Sequence, residues 1–171
     1  MTAWDPPWPS SDRRAGVEVA AVVLHSIVGP DASGALALLR RHNVSAHYVI
    51  DQAGNVYALV PEDRAAWHAG GGRLPDRSAA NQRSIGIELV VASAREAEYS
   101  EAQIAALCQL CSDLGLRHPI RWLCSHRAVD ARRSSPRPRG EPLRSDPWRF
   151  ERWEEVADAI GNPFVYAEVD R

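Results

Sequence analysis

SAHYVIDQAGNVYALVPEDRAAWHAG, residues 45–70, followed at residues 81–90 by NQRSIGIELV, decides how this chain folds. Two β-prone runs, 47–50 and 56–60, flank residues 51–55, whose Gly54 and Asn55 suit a hairpin turn. The run 84–91 reads as a buried strand, apolar but for one acid, Glu88. A carboxylate in such a strand is costly unless it is paired, hydrogen-bonded or near a metal, so Glu88 is a functional candidate on pattern alone. Between these segments, residues 62–83 are rich in Gly, Pro and polar side chains and read as a long loop, a feature that in compact domains tends to carry function.

Working outward, VEVAAVVLH at 17–25 has the apolar, β-branched composition of a central strand covered on both faces, and is expected to end at the polar pair His25-Ser26. Residues 33–42 read as a short helix, and residues 1–16 as an irregular lead-in. Downstream, Ser100 and Gln103 form a capping-box pattern for a helix reaching about Leu116. A short strand at 120–124 then stops at Ser125-His126, residues 127–145 read as loop, and 148–160 as a closing amphipathic helix. The expectation is a single-domain α/β fold over 17–160, a mixed central sheet flanked by helices, followed by a tail at 161–171.

Two strands thus end in a histidine. Strand ends at one edge of an α/β sheet converge on a common cleft, which brings His25 and His126 together across the sequence. A third donor from the loop after His126, either Asp130 or Asp146, would give a three-ligand zinc site with its fourth position open, the catalytic arrangement.

Composition narrows the rest. The chain has 171 residues, 45% hydrophobic and 25% charged, enough for one domain with a real core. A net charge of -2 gives no global basic field, so nucleic acid is not expected as a partner, and the arginine-rich run 132–144 reads as loop. Three cysteines, Cys108, Cys111 and Cys124, read as buried thiols and not as a disulfide framework. The N-terminus has no secretory-signal pattern, and no run approaches the roughly 18 apolar residues of a spanning helix. The expectation is a soluble protein made in the cytoplasm, with any export to the periplasm or cell wall by a route that needs no signal peptide.

VVLHS around His25, VSAHYVID, VPEDRAAWHAG and SIGIELV around Glu88 occur together, in order, over roughly Val17 to Val156. In this the chain resembles the zinc-dependent N-acetylmuramoyl-L-alanine amidases of the amidase-2 group, whose superfamily includes phage endolysins and the animal peptidoglycan recognition proteins. The resemblance implies Zn2+ as cofactor, with His25 as first ligand, His126 of SHRAVD as second and Asp146 of RSDPW as third. It implies hydrolysis of the bond between the muramyl lactyl group and L-alanine, with Glu88 as general base. Arg144 stands where the family usually has a lysine, a charge for the oxyanion, although its broad fork does not replace an ammonium without adjustment. Ala46 occupies the place of a tyrosine found in some branches, which favours Glu88 as the base, and His47 reads as structural. Trp67 and His68 match substrate-groove positions, with packing of the loop the alternative for Trp67, and Asn81 is a candidate to hydrogen-bond substrate in the same groove.

The implied partner is peptidoglycan or a muropeptide, met by a monomer that does not insert in membranes. An immunity or delivery protein is added if the chain is an antibacterial effector. The segment after His126 departs from the family, because Asp146 lies further from it than usual and 131–145 reads as an insertion. An ungapped alignment would put Ser135 at the ligand position and make the chain a non-catalytic peptidoglycan-recognition module. RSDPW followed by an amphipathic helix, together with the retained Glu88, favours Asp146 and the amidase.

Overall fold

The computed structural model describes residues 7–94, 97–130, 147, 150–161 and 163–166. In chain order its elements are β1 (Ser10–Asp12), β2 (Ala21–Val28), α1 (Ala32–Arg41), β3 (Tyr48–Ile50), β4 (Val56–Ala58) and β5 (Arg64–Ala66). There follow α2 (Ala80–Arg83), β6 (Ser84–Val91), α3 (Glu101–Arg117), β7 (Trp122–Ser125), α4 (His126–Val129), α5 (Trp153–Ile160) and β8 (Phe164–Tyr166). Among the described residues, six strands form one sheet in the order β4-β3-β6-β2-β7-β8, and β1 pairs with β5 in a second, two-stranded sheet. Neighbours in the large sheet run parallel except in the β3–β4 hairpin. The mixed α/β sheet with flanking helices is the architecture expected from the sequence.

Side-chain alternation along the strands gives this sheet two different faces. Ile85, Ile87 and Leu89 of β6, with Val22 and Leu24 of β2, pack on Ile104, Leu107 and Leu114 of α3 and on Val156 and Ile160 of α5. The opposite face is split. Ile27, Val49 and Val90 lie with Leu36 and Leu39 of α1 in one apolar cluster, while Ala21, Val23 and Cys124 lie with Ala69, Leu74 and Val129 in another. Between the two clusters, the same face presents His25 and Glu88, which are register partners on β2 and β6.

Local chemistry fixes the elements. At the hairpin, Gly54 takes φ 82 and the Asp51 carboxylate accepts the backbone N–H groups of Ala53 and Asn55, each at 2.9 Å. Asp31 caps α1 by accepting the Gly34 N–H at 2.9 Å. Ser100 caps α3 as expected, accepting the Gln103 N–H at 3.0 Å, but the reciprocal half of the capping box is absent. The Gln103 amide instead donates to the carbonyls of Ile50 and Val90, at 2.8 and 3.1 Å, because these buried strand-end acceptors need a donor.

Several sequence boundaries are corrected. β2 does not stop at His25; it runs on to Val28, because Ile27 pairs with Val90 and enters the apolar cluster with α1. The segment 1–16 is not irregular where described: Ser10–Asp12 pairs with β5, and Trp8 is buried with the Arg40 guanidinium 4.1 Å from its ring centroid. The tail 161–171 contains β8, which extends the sheet beside β7, so the domain reaches past 17–160 at both ends. The loop 62–83 holds β5 and α2, and the segment after Ser125 opens with α4. The last helix starts at Trp153, not at residue 148, which lies outside the described residues. Cys108, Cys111 and Cys124 are free thiols, and among the described residues no helix is long and apolar enough to cross a membrane.

Candidate active site

Strand register alone assembles the centre of the site. Glu88 pairs across β6 with His25 of β2 and with Val49 of β3, and Ser125 of β7 pairs with Leu24. The next residue, His126, therefore comes level with His25: their ring centroids are 4.4 Å apart at an interplanar angle of 58°. All three side chains are buried. The convergence expected of His25 and His126 is present, with His126 just past the end of β7 and His25 on the sheet face within β2.

Buried imidazoles and a neighbouring carboxylate are the donor types that zinc takes, and two rings this close can each turn a nitrogen toward one ion. Among the described residues, no three His, Cys, Asp or Glu side chains form a group able to hold a metal. His25 and His126 fit two corners of a zinc site. Asp146, Arg144 and Ser135 all lie outside the described residues. Asp130, the other aspartate weighed, is the C-cap residue of α4 and joins no such group.

Around this centre the AWHAG loop builds a wall. Trp67 is 41% exposed, and with Asn43, Val44, Ser45, His68, Gly70, Asn81 and Glu88 it lines a cavity of about 400 Å³. The Asn81 carbonyl oxygen accepts the Ala69 N–H at 2.8 Å, and its amide donates to the Gly70 carbonyl at 3.3 Å, so this side chain braces the loop. Ser45, which the sequence did not single out, accepts the Trp67 N–H at 2.8 Å and donates to the Pro9 carbonyl at 2.6 Å.

His68 lines the cavity but is itself buried, its Nδ1 2.9 Å from His25 Nε2 and its Nε2 3.2 Å from Ser84 Oγ. Burial holds this imidazole well below its usual range, and the neighbouring His25 adds to the effect. His47 is buried behind it. Its Nδ1 accepts the Gly86 N–H at 2.9 Å, which leaves Nε2–H to donate to the Arg64 carbonyl at 3.1 Å. Burial first and the Arg13 guanidinium second bring His47 down to about 3, so it serves as a neutral structural group, as the sequence predicted.

Arg13 is a further residue that sequence reasoning missed. Its guanidinium donates to the carbonyls of Glu62, Asn81, Gln82 and Ser84, and so ties the N-terminal segment to the loop that carries Trp67. Gly86 did carry a signal, since a glycine inside a strand marks a close approach. A Cβ there would fall 2.4 Å from Cγ of the His68 ring.

A family model described as N-acetylmuramoyl-L-alanine amidase matches residues 15–138. The 1,6-anhydro-N-acetylmuramyl-L-alanine amidase AmpD of Salmonella typhimurium is 35% identical over 92 residues, 54% of this chain and 48% of that protein. The chain thus spans about half the length of the curated relatives it matches. A selenomethionine AmpD derivative superposes with a TM-score of 0.68 and 25% identity, covering 92% of this chain and 93% of that one. The amidase AmiD from E. coli, in complex with anhydro-N-acetylmuramic acid-L-Ala-D-gamma-Glu-L-Lys, gives a TM-score of 0.65 at 27% identity, over 85% of this chain and 59% of that one.

Proposed function

The chain belongs to the N-acetylmuramoyl-L-alanine amidase family, and from that premise we propose that it hydrolyses the amide between the lactyl group of N-acetylmuramic acid and the L-alanine of a stem peptide. The observation that carries this reading is the placement of Glu88 in register beside His25, with His126 level with both, next to a groove walled by Trp67. His25, His126 and Asp146 would hold zinc. Bound there, zinc supplies a Lewis acid that acidifies water and polarises the amide carbonyl.

The chain's own residues supply the rest. Glu88 takes a proton from the attacking water and returns it to the amine nitrogen of L-alanine as the C–N bond breaks. Burial between two apolar clusters limits competing water around that carboxylate. Arg144 offers a fixed positive charge to the oxyanion of the tetrahedral adduct. Trp67 presents an exposed aromatic face to the sugar or the stem peptide, held in place by Ser45 and Asn81.

The test is zinc content of the purified protein together with release of stem peptide from anhydro-muropeptides. Wild type is expected to hold one zinc per chain and to turn over, and Asp146→Ala to lose both. Zinc retained by Asp146→Ala would remove that residue from the ligand set. A wild-type protein with neither zinc nor turnover would leave a peptidoglycan-binding module. Faster cutting of soluble anhydro-muropeptides than of intact sacculi is the outcome expected for work on released wall fragments; the reverse preference would assign the protein to the intact wall.

A further inference from the structure

We propose that Ser84 and His68 form a positioning chain that fixes the tautomer and ring orientation of His25, so that its Nε2 carries the proton and its Nδ1 carries the lone pair offered to the metal. The direction of each hydrogen bond follows from the one before. Ser84 has a single hydroxyl proton, and its oxygen lies 2.6 Å from the Ala80 carbonyl, which can only accept. That proton is therefore committed, and Ser84 Oγ receives its second bond, at 3.2 Å, from His68 Nε2–H.

With its proton on Nε2, a neutral His68 has its lone pair on Nδ1. That atom is 2.9 Å from His25 Nε2, so His25 Nε2–H is the donor. The His25 and His68 ring centroids are 5.1 Å apart, close to the 2.9 Å N···N distance plus the two ring radii, so both nitrogens lie near the line joining the rings and the N–H of one aims at the in-plane lone pair of the other, the ring planes being twisted by 88°. The ring of His68 can occupy this place because residue 86 is glycine: a Cβ would lie 2.4, 2.6 and 2.7 Å from its Cγ, Cδ2 and Nδ1. Three features of one short stretch, Ser84, the bare backbone at Gly86 and Glu88 facing His25, thus serve the same imidazole.

The chain ends on a neutral backbone carbonyl, where ligating histidines often lean on a carboxylate. It consequently orients His25 without adding negative charge to the centre, and leaves the metal a stronger Lewis acid than a carboxylate-backed ligand would.

The metal role rests on the amidase reading, whereas the tautomer can be observed independently. Long-range 1H–15N correlation spectra of the metal-free wild type are expected to show His25 and His68 both as Nε2–H imidazoles. Competition with a chromophoric chelator is expected to show zinc affinity reduced 10- to 100-fold in His68→Leu and severalfold in Ser84→Ala. His68→Asn keeps an acceptor near the Nδ1 position and is expected to recover much of the loss. An Nδ1–H tautomer of His25 in the wild type, or a folded His68→Leu that binds zinc as tightly as wild type, would overturn the proposal. If His68→Leu does not fold, the wild-type spectrum and His68→Asn decide it. A wild type that takes up no zinc would sink the amidase reading alone, and the spectrum would still decide the hydrogen-bond chain.

Discussion

At Glu88 the fold places an acid on a strand whose other side chains are buried, and it does so beside His25, not at random along the strand. Glu88→Gln keeps the shape and removes the base. Turnover is expected to fall by about 10²- to 10⁴-fold with zinc content unchanged, read by peptide release and metal analysis on the same sample. Loss of zinc along with activity would make Glu88 a ligand and not a base. Gly86→Ala drives a methyl to 2.4 Å from the His68 ring, which Ser84 and His25 hold from both ends. Because neither strand nor ring can step aside cheaply, about 1–3 kcal/mol of destabilisation is expected, visible as a lowered Tm. Glu88 was legible in the sequence because an acid breaks an apolar run. Ser84 was not, since a serine opening a strand looks unremarkable until the ring above it is known. His68 was legible as belonging to the groove, but its inward contacts depend on a strand 16 residues further along.

Among the elements, α3 depends on its first turn. Ser100 accepts the Gln103 N–H at 3.0 Å and also donates to the Gln52 carbonyl, so one hydroxyl starts the helix and anchors it to the hairpin. Ser100→Ala is expected to cost about 1–2 kcal/mol in chemical denaturation. A cost near zero would show that the Ser100 hydroxyl adds nothing to the other ties between the hairpin and α3, the Gln103 to Ile50 hydrogen bond among them. The cap and the hairpin were readable because both are decided by neighbouring residues. The end of β2 was misread, because continuation past His25 is set by Ile27 packing with α1, a contact invisible to local pattern. β1 was missed for a similar reason: three polar residues become a strand only because β5 offers them a partner.

For the whole molecule, the buried His47 and the partly buried Glu62 shape the response to acid, and His68, also held below its usual range by burial, adds to the limb of His47. His47 is held at about 3 against an ordinary 6.5, so as pH falls below 6.5 the unfolded chain takes up a proton that the folded one refuses. Stability is therefore expected to decline from pH 6.5 downward. Glu62 is held at about 2; burial alone would raise it, but hydrogen bonds from Arg117, Tyr48 and His118 outweigh burial. Its contribution is complete above pH 4.5 and is lost as pH falls from 4.5 toward 2, a step of order 2–3 kcal/mol. Unfolding followed from pH 7 to 3 with chelator present should show both limbs, and Glu62→Gln should flatten only the lower one. If Glu62→Gln flattened the limb above pH 5 instead, His47 would not be its source. Arg13 adds a consequence in time: its acceptors lie 49, 68, 69 and 71 residues later in the chain. A chain made from its N-terminus exposes this guanidinium well before Ser84 exists, so the clasp over the Trp67 loop is a late, high-contact-order event of biosynthesis. Any nascent chain stalled before Ser84 leaves it open.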